Sequence, residues 1–340
     1  MPGDLKFAVQ RPPPYGELTD VLPGLFWVRL PVPLTLNHVN CWLLDNGSGW
    51  SLVDCGMNTD EIFEIWDKLW RGLLRSRPLQ NLTLTHAHID HFGFAGHLVK
   101  ESKCVARLPL AEWLSGWLMW HEREEGLNEQ FVSFMKRNGA SDDDAAAVAG
   151  VQRKQKYLGL RPPREFTRIR DGDAVIMGQR EWRVITAGGH SPEHASFYCE
   201  KDRILIAGDQ ILSHIAPSVI VPLAQPDANP MKEYLDSLAR LESLPSDTLV
   251  LPSHGVPFRA LHARLAQLRE HHQMRLDDVA SIITSSTSAF AIAQEVFPRV
   301  LYDNPRQALG ESLAHLNMLA SMGKLTRNVS PIGAITFAPV

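Results

Sequence analysis

The chain has 340 residues, 44% apolar and 21% charged, which suits a soluble globular protein of one large domain or two. A net charge of -4 offers no bulk attraction for nucleic acid or an acidic membrane. No run of about eighteen apolar residues reads as a membrane span, residues 1–16 lack a secretion signal, and Cys41, Cys55, Cys104 and Cys199 form no Cys-x-x-Cys pair, so a cytoplasmic protein with reduced thiols is expected.

Pro12-Pro13-Pro14 is a stiff lead-in. Residues 25–30, 40–44 and 50–53 read as strands, the last two joined at Asn46-Gly47. Asp54, before Cys55-Gly56, is either a helix cap or a carboxylate that orients a metal-binding His. Helical spacing of Ile62, Ile65, Trp66 and Leu69 predicts a helix over 59–74, capped by Asn58, Thr59 or Asp60. The strand Leu82-Thr83-Leu84 then runs into Thr85-His86-Ala87-His88-Ile89-Asp90-His91. Three imidazoles and a carboxylate packed this closely point to metal, because imidazole and carboxylate are the usual ligands of divalent cations. His86 and His88 can point the same way, and Asp90 and His91 can face a second point. A helix over 94–100 follows, with His97 a structural or exposed side chain, and then a short strand at 105–106.

Residues 110–161 form a helical insertion. Trp113, Trp117, Leu118 and Trp120, then Phe131, Phe134 and Met135, read as core or as the wall of a substrate pocket. Ser141 caps a further helix through 145–158. Strands resume at 166, 174–176 and 182–185, the last ending at Gly188-Gly189-His190, where glycines let the backbone approach an ion. Strands at 195–199 and 204–207 follow, the latter ending at Gly208-Asp209, and a strand at 249–251 ends at Ser253-His254. His194 reads as a structural His or one behind the ligands. Residues 217–230 form a long ordered loop suited to a lid, ahead of a helix over 230–241. Helices over 261–283, 289–296 and 305–322, closed by a hairpin, form a winged-helix-like domain. Arg306, Lys324 and Arg327 are offset by Asp303 and Glu311, so a packing or dimerisation module is favoured over a nucleic-acid platform.

Together His86, His88, Asp90, His91, His190, Asp209 and His254 resemble the signature of the metallo-β-lactamase superfamily, over residues 20–258. The resemblance implies an α/β fold, a four-layer αββα sandwich, with a catalytic domain at 1–260 and the winged-helix-like domain at 261–340. It implies two divalent ions, Zn2+ first and Mn2+ or Fe2+ as alternatives. His86, His88 and His190 would hold one, Asp90, His91 and His254 the other, and Asp209 would bridge them. The nearest look is to the hydroxyacylglutathione-hydrolase-like branch, although the insertion departs from it. The chemistry implied is hydrolysis by a hydroxide formed between cations roughly 3.5–4 Å apart, with Asp90 and Asp209 placing the nucleophile. Tyr198 and His214 are candidate proton donors, each also readable as structural. The expected substrate is a small thioester, ester or lactone. The alternatives are a phosphodiesterase or endoribonuclease, and a metal-binding signalling protein. No membrane partner is expected, and a homodimer is.

Overall fold

The structure is a computed structural model and describes residues 5–7, 11–33, 36–121, 127–145 and 158–340. Two seven-stranded sheets stack face to face. One is ordered β2 (Leu18–Leu22), β3 (Leu25–Pro31), β4 (His38–Asp45), β5 (Trp50–Val53), β6 (Leu79–Thr83), β7 (Val105–Leu108) and β8 (Thr167–Arg168). The other runs from β1 (Lys6–Phe7) through β14 (Phe258–Arg259), β13 (Leu249–Pro252), β12 (Ile204–Gly208), β11 (His194–Cys199) and β10 (Arg180–Ala187) to β9 (Ala174–Met177). Strand alternation sends Leu25 and Trp27 of β3 between the sheets, against Trp182, Phe197 and Ile206. It sends Val28 and Leu30 to the opposite face, under helices. Both faces are buried, so β3 reads as a continuous apolar run.

Helices α1 (Asp60–Arg71) and α4 (Ala95–Ser102) cover that outer face. A four-residue turn, α2 (Leu73–Ser76), follows α1, and another, α3 (Ile89–Phe92), precedes α4. Thr59 caps α1, its hydroxyl accepting from the Ile62 N–H, so Asp54 is free for another role. The outer face of the second sheet is covered by α6 (Leu127–Arg137), α7 (Pro230–Leu241) and α8 (Leu261–Ile282), completing the four layers. Among the described residues no helix is long and apolar enough to cross a membrane.

The C-terminal part holds α9 (Ala289–Val296), α10 (Pro298–Asp303), α11 (Pro305–Ser321) and a hairpin of β15 (Leu325–Val329) and β16 (Ile335–Pro339). It shares one continuous core with the second sheet: Leu205 and Val250 of the sheet, Tyr234 of α7, Leu265 of α8 and Leu313 of α11 belong together. Short α10 and the edge pair β1–β14 had no periodic signal. Most of the helix expected over 145–158 lies outside the described residues; Ser141 does cap its first turn, accepting from the Asp144 N–H.

The insertion splits in two. Phe131, Phe134 and Met135 of α6 are core. Helix α5 (Leu110–His121) is not: Leu114 and Leu118 are about half exposed, and Trp113 and Trp117 are half-buried. Trp113 stacks on Phe166, and both indoles donate to the Pro163 carbonyl. The face α5 turns inward instead carries Glu112 and Gly116, the latter so close to the Phe92 ring that a Cβ would not fit.

Inside the C-terminal core His272 and His315 lie 6.5 Å apart, between Tyr234 and Phe297 and near His271 and Arg275. Burial, with the neighbouring cations, lowers His272 to about 3 and His315 to about 4. Both are therefore neutral when folded and take up protons near pH 6.5 when unfolded. Stability is full above that pH and falls as pH drops toward 4, by up to about 1.4 kcal/mol per pH unit for each ring. Urea unfolding at pH 7 and pH 5 should show a smaller acid loss in His272→Leu than in the parent; equal losses would refute this.

Candidate metal centre

Each expected site residue leaves the carboxyl end of a strand at one edge of the sandwich. Asp54 follows β5, the His86–His91 loop follows β6, His190 follows β10, Asp209 follows β12 and His254 follows β13. Two groups of metal-type side chains result, His86, His88, His190 and Asp209 in one and Asp90, His91 and His254 in the other. Asp209 links them: its Oδ2 is 3.4 Å from His190 Nε2, and its Oδ1 is 3.4 Å from His254 Nε2 and 3.5 Å from His91 Nε2. Asp90 Oδ2 is 3.3 Å from His254 Nε2. His86 Nε2 lies 3.0 Å from His88 Nδ1 and 3.3 Å from His190 Nε2.

The outward nitrogens are spoken for. His91 Nδ1 donates to Asp54 Oδ2 at 2.8 Å, His190 Nδ1 to the Ser218 carbonyl at 2.8 Å and His254 Nδ1 to the His38 carbonyl at 2.6 Å. These bonds put the proton on Nδ1 and leave the Nε2 lone pairs facing one another. His91 Nε2, His254 Nε2 and Asp209 Oδ1 are buried with no hydrogen-bond partner. Buried unpaired polar atoms are costly, and a cation at their meeting point satisfies them, so the residues fit divalent metal. The electrostatics divide the same way. Burial, then His190, lowers His88 to about 3, and burial lowers His86, so both imidazoles stay neutral. At His254 burial is outweighed by Asp209 and Asp90, which raise it to about 10, so this spot draws positive charge.

The Asp54 carboxylate accepts from the Thr85 N–H at 2.9 Å, the Thr85 hydroxyl at 2.8 Å and His91 Nδ1. Its backbone sits at φ 58, a conformation that costs a non-glycine residue about 1–3 kcal/mol and that its bonds hold in place. His194 is a buried positioning residue, its Nε2 accepting from the Asp209 N–H. His97 packs between Phe63 and Phe94, away from the cluster. Tyr198 is buried in the core, and His214 is exposed. All four expected thiols are free and buried.

Three supports carried no sequence signal. Glu112 is fully buried; Oε2 accepts from the Ala87 N–H at 2.9 Å, and Oε1 from the Ser191 hydroxyl at 2.9 Å and the Glu193 N–H at 2.7 Å. One carboxylate thus ties the His86–His88 loop to the His190 loop. Asn40 donates from Nδ2 to the carbonyls of Pro252 and Gly255, on either side of His254. Ser218, whose carbonyl holds His190, donates its hydroxyl to Glu311 of α11 at 2.8 Å. The C-terminal part therefore reaches the cluster through one intervening residue.

Residues 34–254 match the metallo-beta-lactamase superfamily, and residues 276–340 match the metallo-beta-lactamase-like C-terminal domain. The chain is similar to the crystal structure of a beta-lactamase domain protein from Burkholderia ambifaria, with 36% identity, 98% of both chains covered and a TM-score of 0.84. It is similar to the probable metallo-hydrolase YqjP of Bacillus subtilis, 24% identical over 88% of this chain and 93% of that one. A more distant relative, 22% identical over 55% of this chain and 63% of its own length, is the acyl-coenzyme A thioesterase MBLAC2 of Bos taurus. With its two stacked sheets, its edge cluster of His and Asp and a superfamily match over most of its length, this chain belongs to the metallo-beta-lactamase superfamily and is a hydrolase.

Proposed function

We propose that this hydrolase cleaves a small thioester, ester or lactone, with a thioester foremost, and works with two divalent metal ions, zinc first and manganese or iron as alternatives. The observation that carries the reading is the inward convergence of Nε2 and carboxylate atoms while every outward Nδ1 of His91, His190 and His254 is tied down. His86, His88 and His190 would hold one ion, Asp90, His91 and His254 the other, and Asp209 both. Such a pair supplies a nucleophilic hydroxide at neutral pH and an electrophile for the carbonyl oxygen.

The chain's own groups do the rest. Asp54, Ser218 and His38 fix the imidazole orientations, so no rearrangement is needed when substrate arrives. Asp90 is the more open of the two carboxylates, with a side chain 13% exposed against 7% for Asp209, which suits it to accept a proton from the attacking water. The thioester preference is supported by the likeness to a relative named as an acyl-coenzyme A thioesterase, and by the half-exposed Leu114, Trp117 and Leu118 of α5 beside the His86–His88 loop.

The same reading places the chain in the hydroxyacylglutathione-hydrolase-like branch, with a winged-helix-like extension that packs rather than binds nucleic acid. The shared core supports packing, as does the pairing of Arg327 with Asp227. Exposed Tyr302 and Ile332 support a homodimer through this part, and the four buried thiols support a cytoplasmic setting.

The test is elemental analysis together with turnover of thioester, lactone and bis(p-nitrophenyl) phosphate substrates. About two metal ions per chain with carbonyl-substrate turnover is expected; cleavage of the phosphodiester alone would replace this reading with a nuclease. A second expectation concerns α11. Glu311→Ala should free the Ser218 loop and weaken zinc binding by about 10- to 100-fold in chelator competition. Affinity equal to the parent's would show that the C-terminal part leaves His190 unaffected.

A further inference from the structure

A cavity of about 550 Å³ lies beside the His254 loop. Phe7, Pro12 and Val256 form its apolar lining, and Arg29, His38 and His214 its polar lining. It shares a wall with the Asp90–His91–His254 group: Gly255 lines it directly, and His38 accepts from the Gly255 N–H at 2.8 Å while its carbonyl holds His254. The volume lies within the roughly 300–1,000 Å³ usual for small-molecule sites.

Among the described residues no carboxylate lines the cavity. Among the described residues Arg29 forms no ion pair; its guanidinium lies 4.7 Å over the Tyr15 ring, and its Nε is buried with no hydrogen-bond acceptor. Lys6 and Arg11, adjacent in the chain to Phe7 and Pro12, are exposed. This is a local excess of positive charge in a chain of net charge -4. The His214 side of the cavity is held firmly, since Arg264 donates to the carbonyls of Leu212 and Ile215, both at 2.7 Å. The His214 ring leans on Phe7 with centroids 5.1 Å apart. A guanidinium with no ion pair among the described residues, facing a mostly apolar cavity, is suited to a phosphate or carboxylate, which its planar fork of donors matches.

Position assigns the part of the substrate. The cavity sits on the His254 side of the cluster, whereas α5, with its apolar exposed face, is tied through Glu112 to the His86–His88 and His190 loops. We infer that the Arg29 cavity binds a phosphate or carboxylate on the leaving thiol or alcohol of the substrate, while the acyl part lies toward α5. The natural substrate is then an anionic thioester or ester rather than a neutral lactone. This rests on the hydrolase reading above.

The test compares the parent, Arg29→Met and His214→Ala, all loaded with zinc, on three butyryl thioesters: of coenzyme A, of glutathione and of neutral N-acetylcysteamine. Arg29→Met should lower the ratio of kcat/KM for an anionic thioester to that for the neutral one by about 10- to 100-fold, mainly through KM. His214→Ala, at an exposed position, should lower it about 3-fold. A ratio that falls only for the coenzyme A thioester identifies phosphate, and one that falls only for the glutathione thioester identifies carboxylate. Ratios that stay at the parent's value for both variants overturn the inference. If the parent turns over none of the three, the thioesterase reading fails separately. Calorimetric binding of desulfo-coenzyme A and S-methylglutathione then decides the cavity: binding weakened by Arg29→Met upholds it, and equal or no binding overturns it.

Discussion

In a His88→Ala protein, bound zinc should fall from about two ions per chain to one or none, and turnover should fall at least about 100-fold. His88 Nδ1 lies 3.0 Å from His86 Nε2, and its ring centroid is 4.6 Å from that of His190. Its removal leaves His86 and His190 to hold an ion with Asp209 alone. Burial keeps His88 neutral down to about pH 3, so a protonated ring cannot explain a loss at neutral pH. The loss should be local, because among the described residues the His88 side chain hydrogen-bonds to another ring of the cluster, His86, and to no backbone group. Elemental analysis, circular dichroism and a rate on one carbonyl substrate separate these effects. A folded mutant with full metal content and full rate would sink the ligand assignment.

Glu112→Ala should cost much of the fold's stability. The substitution strands the Ala87 N–H and the Ser191 hydroxyl in a buried site and also frees the part-buried Glu193 N–H. Each stranded donor costs about 1–3 kcal/mol, so about 2–6 kcal/mol is expected for the buried pair. Glu112→Gln is the sharper probe. An amide has one accepting oxygen, so it can serve Ala87 or the Ser191–Glu193 pair but not both. It should retain more stability than alanine yet still weaken zinc binding by about 10- to 100-fold, because one of the two ligand loops comes loose. Urea unfolding and chelator competition measure the two losses. A Glu112→Gln protein that is destabilised but binds zinc as tightly as the parent would make Glu112 a structural residue only.

The cluster of metal-type side chains was legible because it is local chemistry. His86, His88, Asp90 and His91 sit within six residues, and His190, Asp209 and His254 each follow a short apolar run beside Gly or Ser. Strand alternation and helical spacing were legible for the same reason: periods of 2 and 3.6 residues are set by the backbone. Thr59 could be picked out among the caps of α1 only from the observed bond to Ile62.

What only the tertiary structure decided is pairing across long stretches of chain. Glu112 meets Ala87 from 25 residues away and Ser191 from 79, and Asn40 meets Pro252 from 212. A lone Glu in a tryptophan-rich helix has no local feature that distinguishes it from a solvent-facing one. Because α5 turns Glu112 and Gly116 inward to satisfy the backbone of two ligand loops, its Leu114 and Leu118 are left outside, against their hydropathy. Spacing alone cannot foresee that a buried hydrogen-bond requirement outranks apolar burial on one helix. The sequence by itself therefore determined the strands and the seven metal-type side chains, which follow from residue chemistry and short-range periodicity, while the sandwich was implied by the family resemblance those side chains carry. The tertiary structure alone determined which carboxylates and carbonyls hold those side chains in place and where the Arg29 cavity lies, since these depend on contacts that only the closed fold makes.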